Sequence, residues 1–538
     1  MAQNASSGAR APRPFYVTTA AGQVRLWQIG EGPDLVLLGG LIDAAEDLAA
    51  RAGAALPGWR VTVAELPGIG GSAGVNPQSA DACAEALSEA LAWLGRGKIV
   101  LGGVDLAMGL TALVARRLDA EVVTLPVIGR RRAQGWRKAK ILPPELSPRQ
   151  DGSHLQALWS FLRDRHLLKP DNPGLPATRG EPLPDDAALS RCFVAAAVNP
   201  QRFAALWNLC LDLAGDDVAG SVPVDHIAGL GEALSAPSFT AGGQQPPATA
   251  PLPDRQIWHD YVETANGRMH LRRAGGAGRP ILVIPTGGGS SSQFAPVVRG
   301  LAKGTEGERA VFAVDYLGNG LSEKSRVPVD IGSLAKDMIA LIDAMEIDQI
   351  DVWGSHTGSL VALEMAVIAP ERVGKLVMEG PVFISADFQA DLLEHYFPKI
   401  EADKWGLHLP LVWNWRRDLF MFWPWYRVER DAARALGVPD AEELHMYAIG
   451  ILESGASYDG AYRSAFSYDT RSRLPQLTRP ALICAGPNDM LKDGLVESRQ
   501  LGPKGLVEVC ETPTTVWWPN PDPAEAEETL ALYRDFLA

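Results

Sequence analysis

Cysteine is scarce in this chain, and the sequence has no long uninterrupted apolar run. Its 538 residues include five cysteines, which are scattered, odd in number and without C-x-x-C spacing. This pattern predicts neither a disulfide framework nor a zinc site, and it fits a reducing, cytoplasmic compartment. The longest apolar stretch, residues 99–115, is interrupted by Asp105 and by glycines. It therefore predicts a buried strand, turn and helix rather than a membrane span.

The chain also lacks an excess of positive charge, and its first residues have no apolar stretch that would predict a secretory leader. The formal net charge of −14 disfavours binding to nucleic acid or to anionic lipid, because both would be repelled. Residues 1–13 are rich in Ala, Ser and Arg and predict a disordered tail. Residues 68–73 fit G-x-G-x-x-A, but no phosphate-binding helix is predicted to start there, so we expect no cofactor. The composition leaves a small-molecule substrate as the expected partner and a homo-oligomer open.

Two stretches about 250 residues apart repeat the same pattern of strands and turns. Each begins with an alternating hairpin, at 15–26 and at 261–271, and each continues with a buried strand that ends in glycines. A further strand and turn, a helix, a strand, a sharp turn, a helix and a last strand follow in both. Strands that alternate with helices favour parallel pairing, so two doubly wound, mostly parallel sheets of the α/β class are predicted.

The two copies differ in length and define the predicted domains. The first, at 14–234, ends in about 110 mostly helical residues without a clear further strand pair, so it is interpreted as truncated. Residues 235–256 are dense in Pro, Gly, Gln, Ala and Ser and are predicted to be a linker. The second copy spans 257–538. A five-residue turn in it, Gly354-Ser355-His356-Thr357-Gly358, separates an apolar strand from a helix.

This turn resembles the G-x-nucleophile-x-G elbow of the α/β-hydrolase superfamily, with His356 in the place of the nucleophilic serine. The resemblance implies that an oxyanion-binding loop, an acid and a histidine accompany the elbow. Residues 286–290 match the oxyanion loop, so that the N–H groups of Gly288 and Thr357 are expected to face one oxygen. Asp489, in the G-x-x-D turn after an apolar strand, matches the acid; the alternative is that it only caps the following turn.

The third catalytic member is missing. The family's histidine falls closest to Trp517, and no histidine follows His445. We therefore predict a His356–Asp489 dyad in which the imidazole activates a water or takes a proton from the substrate. Ser355 is the alternative nucleophile, and a histidine without a catalytic role in a non-catalytic fold is the remaining interpretation.

Residues 381–472 occupy the position of the family's helical cap and are rich in aromatic residues. Such rings line apolar pockets or form the core of the cap itself. The predicted pocket residues are Thr286, Gly287, Trp423, Trp425 and Trp517. His395, His408 and His445 are alternatives to the missing histidine, although no motif singles out any of them. In the first copy, Asp105 or Leu106 occupies the position of His356, without a plausible catalytic partner.

Three classes of function follow from this resemblance. The first is hydrolysis of an ester, a thioester or a C–C bond next to a carbonyl in a small apolar or aromatic molecule. The second is cofactor-independent lyase or oxygenase chemistry, which needs a base but no serine. The third is a non-catalytic protein that binds a ligand or a partner.

Overall fold

The computed structural model describes residues 11–94, 97–178, 180, 182–214, 218, 220–234, 250, 252, 256–303, 309–324 and 328–538. The first ten residues of the predicted tail and most of the predicted linker lie outside this set. The chain divides into two compact units, Met1–Ser147 with Ser153–Ala250 and Ala402–Gly406, and Pro148–Gly152 with Pro251–Glu401 and Leu407–Ala538. The domain boundaries at 234 and 257 stay a prediction.

The first unit contains a mostly parallel sheet of seven strands among the described residues. Its strands are β1 Arg13–Thr19, β2 Gly22–Ile29, β3 Asp34–Gly39, β4 Arg60–Glu65, β5 Lys98–Val104, β6 Glu121–Ile128 and β9 Ser221–Val224, in the order β1-β2-β4-β3-β5-β6-β9. Strand β9 pairs with β6 and is one more strand than the sequence indicated. The short strands β7 Leu168–Lys169 and β8 Asn172–Pro176 form a separate ribbon.

The helices of the first unit begin at recognisable capping residues. The side chains of Ser79, Asp185 and Asn199 each accept a hydrogen bond from a backbone N–H of the helix that follows. The helices are α1 Ala45–Ala55, α2 Ala80–Leu91, α3 Met108–Ala115, α4 Arg130–Lys138, α5 Ser153–Leu167, α6 Asp186–Ala197, α7 Pro200–Leu213 and α8 Leu230–Ala233.

The second unit contains an eight-stranded sheet within the described part of the chain. Its strands are β10 Trp258–Thr264, β11 Gly267–Ala274, β12 Gly278–Ile284, β13 Arg309–Val314, β14 Ile350–Ser355, β15 Val373–Glu379, β16 Ala481–Ala485 and β17 Val507–Glu511, in the order β10-β11-β13-β12-β14-β15-β16-β17. The pairs β10–β11 and β11–β13 are antiparallel, and all the others are parallel.

Both faces of this second sheet are buried. Leu282 and Val352 belong to the apolar cluster on one face, whereas Val283 and Trp353 belong to the cluster on the other. Because successive side chains of a strand point to opposite faces, an uninterrupted apolar strand fills two cores at once. This explains why the central strands read as continuous apolar runs, and the predicted α/β class is confirmed.

Helices flank this sheet, and several of them lie in the segment 381–472. The helices of the unit are α9 Ala295–Ala302, α10 Ile331–Ala344, α11 Thr357–Ile368, α12 Ala386–His395, α13 His408–Met421, α14 Ala441–Ser454, α15 Asp459–Phe466, α16 Thr470–Arg473, α17 Gly494–Leu501 and α18 Pro523–Leu537. A search of the described residues finds no helix with the length and hydropathy that a membrane crossing requires.

Candidate active site

The carboxyl ends of the parallel strands bring the predicted site residues to one edge of the second sheet. Strands β12, β14, β15 and β16 are neighbours and parallel, so the loops that follow them meet at this edge. Thr286 follows β12, His356 follows β14 and Asp489 follows β16, while Trp517 lies after β17. Residues far apart in the sequence therefore become neighbours.

His356 occupies a strained bend between β14 and α11. Its backbone has φ 49° and ψ −108°, which is rare for a residue with a side chain, and its N–H donates to the carbonyl of Glu379 at 2.8 Å. The bend takes His356 out of β14 and makes Thr357 the first residue of α11. Only 9% of His356 is exposed. The backbone thus has the geometry of the strand-turn-helix motif that the sequence predicted.

The His356 ring and the Asp489 carboxylate are paired. Nε2 of His356 lies 3.1 Å from Oδ2 of Asp489. Burial alone would raise the pKa of Asp489, but the adjacent His356 charge and hydrogen bond, with the N–H of Leu491 and the charge of Arg434, hold this pKa below its usual value. Asp489 is therefore an anion at neutral pH. Its Oδ1 accepts from the N–H of Leu491 at 2.8 Å, so the carboxylate both caps its turn and contacts the histidine.

The pairing assigns the two ring nitrogens of His356. An ionised carboxylate only accepts hydrogen bonds, so Nε2 carries the proton that it shares with Asp489, and Nδ1 is left with its lone pair. Among the described residues, Nδ1 has no hydrogen-bond partner. The Cδ2 and Nε2 edge of the ring faces Gly380, whose φ is +67° and which has no side chain to obstruct the ring. Nδ1 is consequently the nitrogen available to act as a base.

Glu379 is a third buried acidic group beside this pair, and the sequence analysis did not identify it. It is the last residue of β15, and it accepts hydrogen bonds from Nε1 of Trp517 at 2.6 Å and from the hydroxyl of Tyr533 at 2.7 Å. The pKa of Glu379 is raised to about 7, because burial and the Asp489 charge together outweigh the lowering effect of these two donors. No local motif marks it, because both donors lie more than 130 residues away in sequence.

Trp517 lies where the resemblance places the missing histidine. Its ring packs edge-on against the His356 ring, with 5.7 Å between centroids, while its N–H is committed to Glu379. The tryptophan thus supplies an apolar wall and one donor but no base. The structure places Trp517 against His356, and His356 is the residue that contacts Asp489.

The glycine loop after β12 adjoins the start of α11. A side chain on Gly287 would overlap the backbone of Tyr462 and Oγ1 of Thr357, and one on Gly288 would overlap the Tyr462 ring. The N–H of Thr357 opens a helix and has no acceptor within it. The hydroxyls of Thr286 and Thr357 are buried without a partner among the described residues. Unpaired donors of this kind characterise a place that receives a polar oxygen.

Ser355, the alternative nucleophile, is the last residue of β14 and is fully buried. Its Oγ has no hydrogen-bond partner in the described part of the chain, so no base activates it. The structure therefore places the serine inside the sheet edge and the histidine at the bend.

Trp423 and Trp425 lie in an aromatic cluster within the segment 381–472. The centre of this cluster is Tyr396, whose carbonyl accepts from Nε1 of Trp425 at 2.8 Å and whose ring is 5.7 Å from that of Trp423. Tyr396 in turn bonds the hydroxyl of Tyr462 at 2.8 Å. The two tryptophans are thus joined to the glycine loop indirectly, through Tyr396 and Tyr462. Most of the aromatic residues form the segment's own core.

The other predicted alternatives lie elsewhere. His395 is on α12, beside Asp391 and Tyr426, and half of its side chain is exposed. In the first unit, Asp105 follows β5 with φ 51°, close to the value at His356. Both of its carboxylate oxygens bind Arg132, each at 2.7 Å. No group of three or more His, Cys, Asp or Glu side chains that could hold a metal ion is found among the described residues.

Comparisons with known proteins agree with this architecture. The family model described as the alpha/beta hydrolase fold matches residues 279–412. RutD of Caulobacter vibrioides, named as a carbamate hydrolase, is 30% identical over 242 residues, which are 43% of this chain and 81% of that protein. A 2-hydroxymuconate semialdehyde hydrolase of Pseudomonas putida is 34% identical over 151 residues, 27% of this chain and 48% of that protein.

Among solved structures, the enol-lactonase from Burkholderia xenovorans is 19% identical with a TM-score of 0.39, covering 52% of this chain and 99% of that one. The matched family model lies on the strands and helices that carry the glycine loop and the His356 bend. The relatives are named as hydrolases, in agreement with the predicted class of enzyme. Because the likeness to the Caulobacter protein extends over 81% of that protein at 30% identity, this chain belongs to the α/β-hydrolase family.

Proposed function

We propose that the chain hydrolyses an ester, a thioester or a C–C bond next to a carbonyl in a small apolar or aromatic substrate, with the His356–Asp489 dyad as the base. The observation that carries this proposal is the 3.1 Å contact between Nε2 of His356 and Oδ2 of Asp489 at the strained bend. A carboxylate that holds an imidazole in one orientation and one tautomer prepares it to act as a general base.

In the proposed reaction, Nδ1 of His356 takes a proton from water, and the resulting hydroxide attacks the carbonyl carbon. The N–H groups of Gly288 and Thr357 stabilise the oxyanion that forms. When the tetrahedral intermediate collapses, the bond to the leaving group breaks and the imidazolium returns the proton to that group. Asp489 stays ionised and holds the ring in one tautomer throughout.

The substrate class is proposed from the site's walls and from the relatives. Trp517 and Tyr462 present ring surfaces to His356 and to the glycine loop, respectively. Aromatic walls favour apolar or aromatic ligands. Relatives named for the hydrolysis of a carbamate and of a semialdehyde are consistent with acyl substrates of small size.

The test is turnover of a panel of aromatic esters by the protein and its His356→Gln and Asp489→Asn variants. Each variant should lose about 10²- to 10⁴-fold in kcat/KM, because general base catalysis contributes this much. Oxygen from ¹⁸O-labelled water should appear in the acid product. Full turnover by either variant would contradict the proposed dyad. Covalent labelling of Ser355 by a fluorophosphonate would indicate that this serine is the nucleophile instead.

We further propose that the first unit is a degenerate copy of the second. The first six strands of the two sheets follow the same order, and Asp105 and His356 share an unusual positive φ after the equivalent strand. The Arg132 guanidinium occupies both oxygens of Asp105, which makes this carboxylate a poor nucleophile. The reaction is therefore proposed for the second unit alone.

A further inference from the structure

Arg416 is a buried cation without an anionic partner. It lies on α13 and is 3% exposed. Its Nε has no hydrogen-bond partner, and no carboxylate of the described residues forms an ion pair with its guanidinium. The groups nearest to its charge include the phenols of Tyr462, Tyr396 and Tyr447, which are uncharged at neutral pH because burial raises the pKa of each.

Such an arrangement is costly for folding. Burial lowers the pKa of Arg416, but a guanidinium remains protonated in proteins, so the charge persists in a poorly polar place. An unpaired buried ion costs several kcal/mol in proteins. The rings of Trp415 and Tyr447, with centroids 5.6 and 5.4 Å from Cζ, offer only cation–π attraction, which recovers part of this cost. The arginine is thus placed for something other than stability.

A short series of contacts joins Arg416 to the dyad. Tyr447, under the guanidinium, donates its hydroxyl to the carbonyl of Trp517 at 2.6 Å. The ring of Trp517 packs against His356. Tyr462, another of these uncharged phenols, covers Gly287 and Gly288. Arg416 is therefore joined to His356 through Tyr447 and Trp517.

Two other arginines of the same segment show the contrast. Arg434 is partly buried, but it donates to the carbonyls of Leu419 and Asn488 and lies over the Trp518 ring. Arg417, next to Arg416 on α13, has a 37% exposed side chain and pairs with Asp418. Only Arg416, of these three, combines burial with the lack of an acceptor.

We propose that Arg416 binds a carboxylate of the substrate, so that the scissile acyl bond belongs to a small molecule that also carries a free carboxylic acid. A planar guanidinium binds a carboxylate through two parallel hydrogen bonds, which also fixes the orientation of the ligand. The reaction part of this inference rests on the proposed function, whereas the binding of the carboxylate does not.

The binding test uses 4-phenylbutyrate as the probe and uncharged 4-phenylbutyramide as its matched control. Thermal unfolding is followed with each compound for the unaltered protein, His356→Gln, Arg416→Met and the neighbouring control Arg417→Met. The acid should raise the melting temperature of the unaltered protein, His356→Gln and Arg417→Met, and the amide should not. Arg416→Met should lose this response. An equal shift in Arg416→Met, or no shift in any protein, would overturn the inference.

A second variant covers the chance that Arg416→Met disturbs packing. Arg416→Lys keeps the charge and loses the planar fork of the guanidinium, so the affinity of this variant for the acid should fall by about tenfold or more. The response to the amide should be the same in the variant and in the unaltered protein. Equal affinity in Arg416→Lys would contradict a bidentate site.

Turnover provides a test of the reaction part. 4-Nitrophenyl hydrogen glutarate carries the acid, and 4-nitrophenyl valerate lacks it. The ratio of their kcat/KM values should favour the acid and collapse by about tenfold or more in Arg416→Met, but not in Arg417→Met. If neither ester is turned over while 4-phenylbutyrate still shifts the melting temperature through Arg416, the proposed function fails and the carboxylate site stands.

Discussion

At the scale of single residues, the site depends on how one imidazole and two carboxyl groups share a buried corner. Asp489 keeps its charge because His356, Leu491 and Arg434 stabilise the anion. Glu379 accepts hydrogen bonds from two neutral donors, and the His356 charge lowers its pKa less than burial raises it. Burial raises the pKa of both carboxyl groups, so the partners of each group decide whether it is ionised at neutral pH. One acid orients His356, and the other remains close to titration at neutral pH.

Glu379→Gln should change the stability in a pH-dependent way. The folded pKa of Glu379 is about 7 against an ordinary 4.5, so the unfolded chain releases this proton first as the pH rises. The unaltered protein then loses stability between pH 4.5 and 7, by about 3 kcal/mol in total. Glu379→Gln should melt at a higher temperature than the unaltered protein at pH 8 and at nearly the same temperature at pH 4.5.

The measurement is thermal unfolding across this pH range, followed by tryptophan fluorescence. Glu528→Gln, an exposed change on the same helix as Tyr533, is the control and should leave the profile as it is. A melting-temperature difference that does not vary with pH would contradict the buried titration.

At the scale of elements, the strand ends determine the site's geometry. The ladder between β14 and β15 continues past the strands through the bond from His356 N–H to the Glu379 carbonyl, and Gly380 then donates to the carbonyl of Cys484 on β16. These bonds fix three adjacent strand ends in register. The His356 ring lies against Gly380, where a side chain would collide with it.

Gly380→Ala should separate the dyad. The new methyl group would overlap Cδ2 and Nε2 of His356, so the ring must move from Asp489, and kcat/KM should fall by about 100-fold, since small misplacements of catalytic groups have effects of this size. Gly505→Ala is the matched control, because Gly505 also has a positive φ but nothing within 4 Å of the added carbon.

Both variants should lose about 1–2 kcal/mol of stability from the left-handed backbone. Steady-state kinetics and thermal unfolding of the pair separate the two effects. Equal kinetic losses in Gly380→Ala and Gly505→Ala would mean that backbone strain, rather than the ring's position, limits turnover.

The elements also show what the sequence could and could not reveal. The bend at His356 and the turn at Asp489 were predictable, because each is a local pattern at the end of an apolar strand. Glu379 was not, since its environment is made by Trp517 and Tyr533 from later loops and helices. Arg416 and Arg417 are adjacent and chemically identical in the sequence, and only tertiary packing buries one and exposes the other.

At the scale of the whole molecule, two sheets with a similar strand order carry different residues at a bend with positive φ. Asp105 in the first unit is neutralised by Arg132, whereas His356 in the second unit is paired with an acid. The Asp105–Arg132 pair is structural, because each charge is neutralised by the other and neither is left to act on a substrate. We therefore expect the two units to respond differently to substitutions at equivalent places.

Asp105→Asn should lower stability without lowering turnover. Removal of one charge leaves Arg132 without its anion, which should cost roughly 3 kcal/mol, and asparagine still tolerates the positive φ. The ester kinetics of Asp105→Asn, measured well below its melting temperature, should match those of the unaltered protein. His356→Gln should show the opposite result. A loss of turnover in folded Asp105→Asn would contradict this expectation and would indicate that the first unit takes part in the reaction.

The pairing of Asp489 with the outer ring nitrogen of His356 has a consequence for which acceptors can react. The free nitrogen, Nδ1, is bonded to Cγ, the ring carbon that carries Cβ, so it lies nearer to the main chain of the bend than the outer nitrogen does. A molecule activated there must approach the ring beside the main chain of the bend. Water is small enough for this position, and added alcohols should compete poorly for the acyl group, which makes this arrangement selective for cleavage over transesterification.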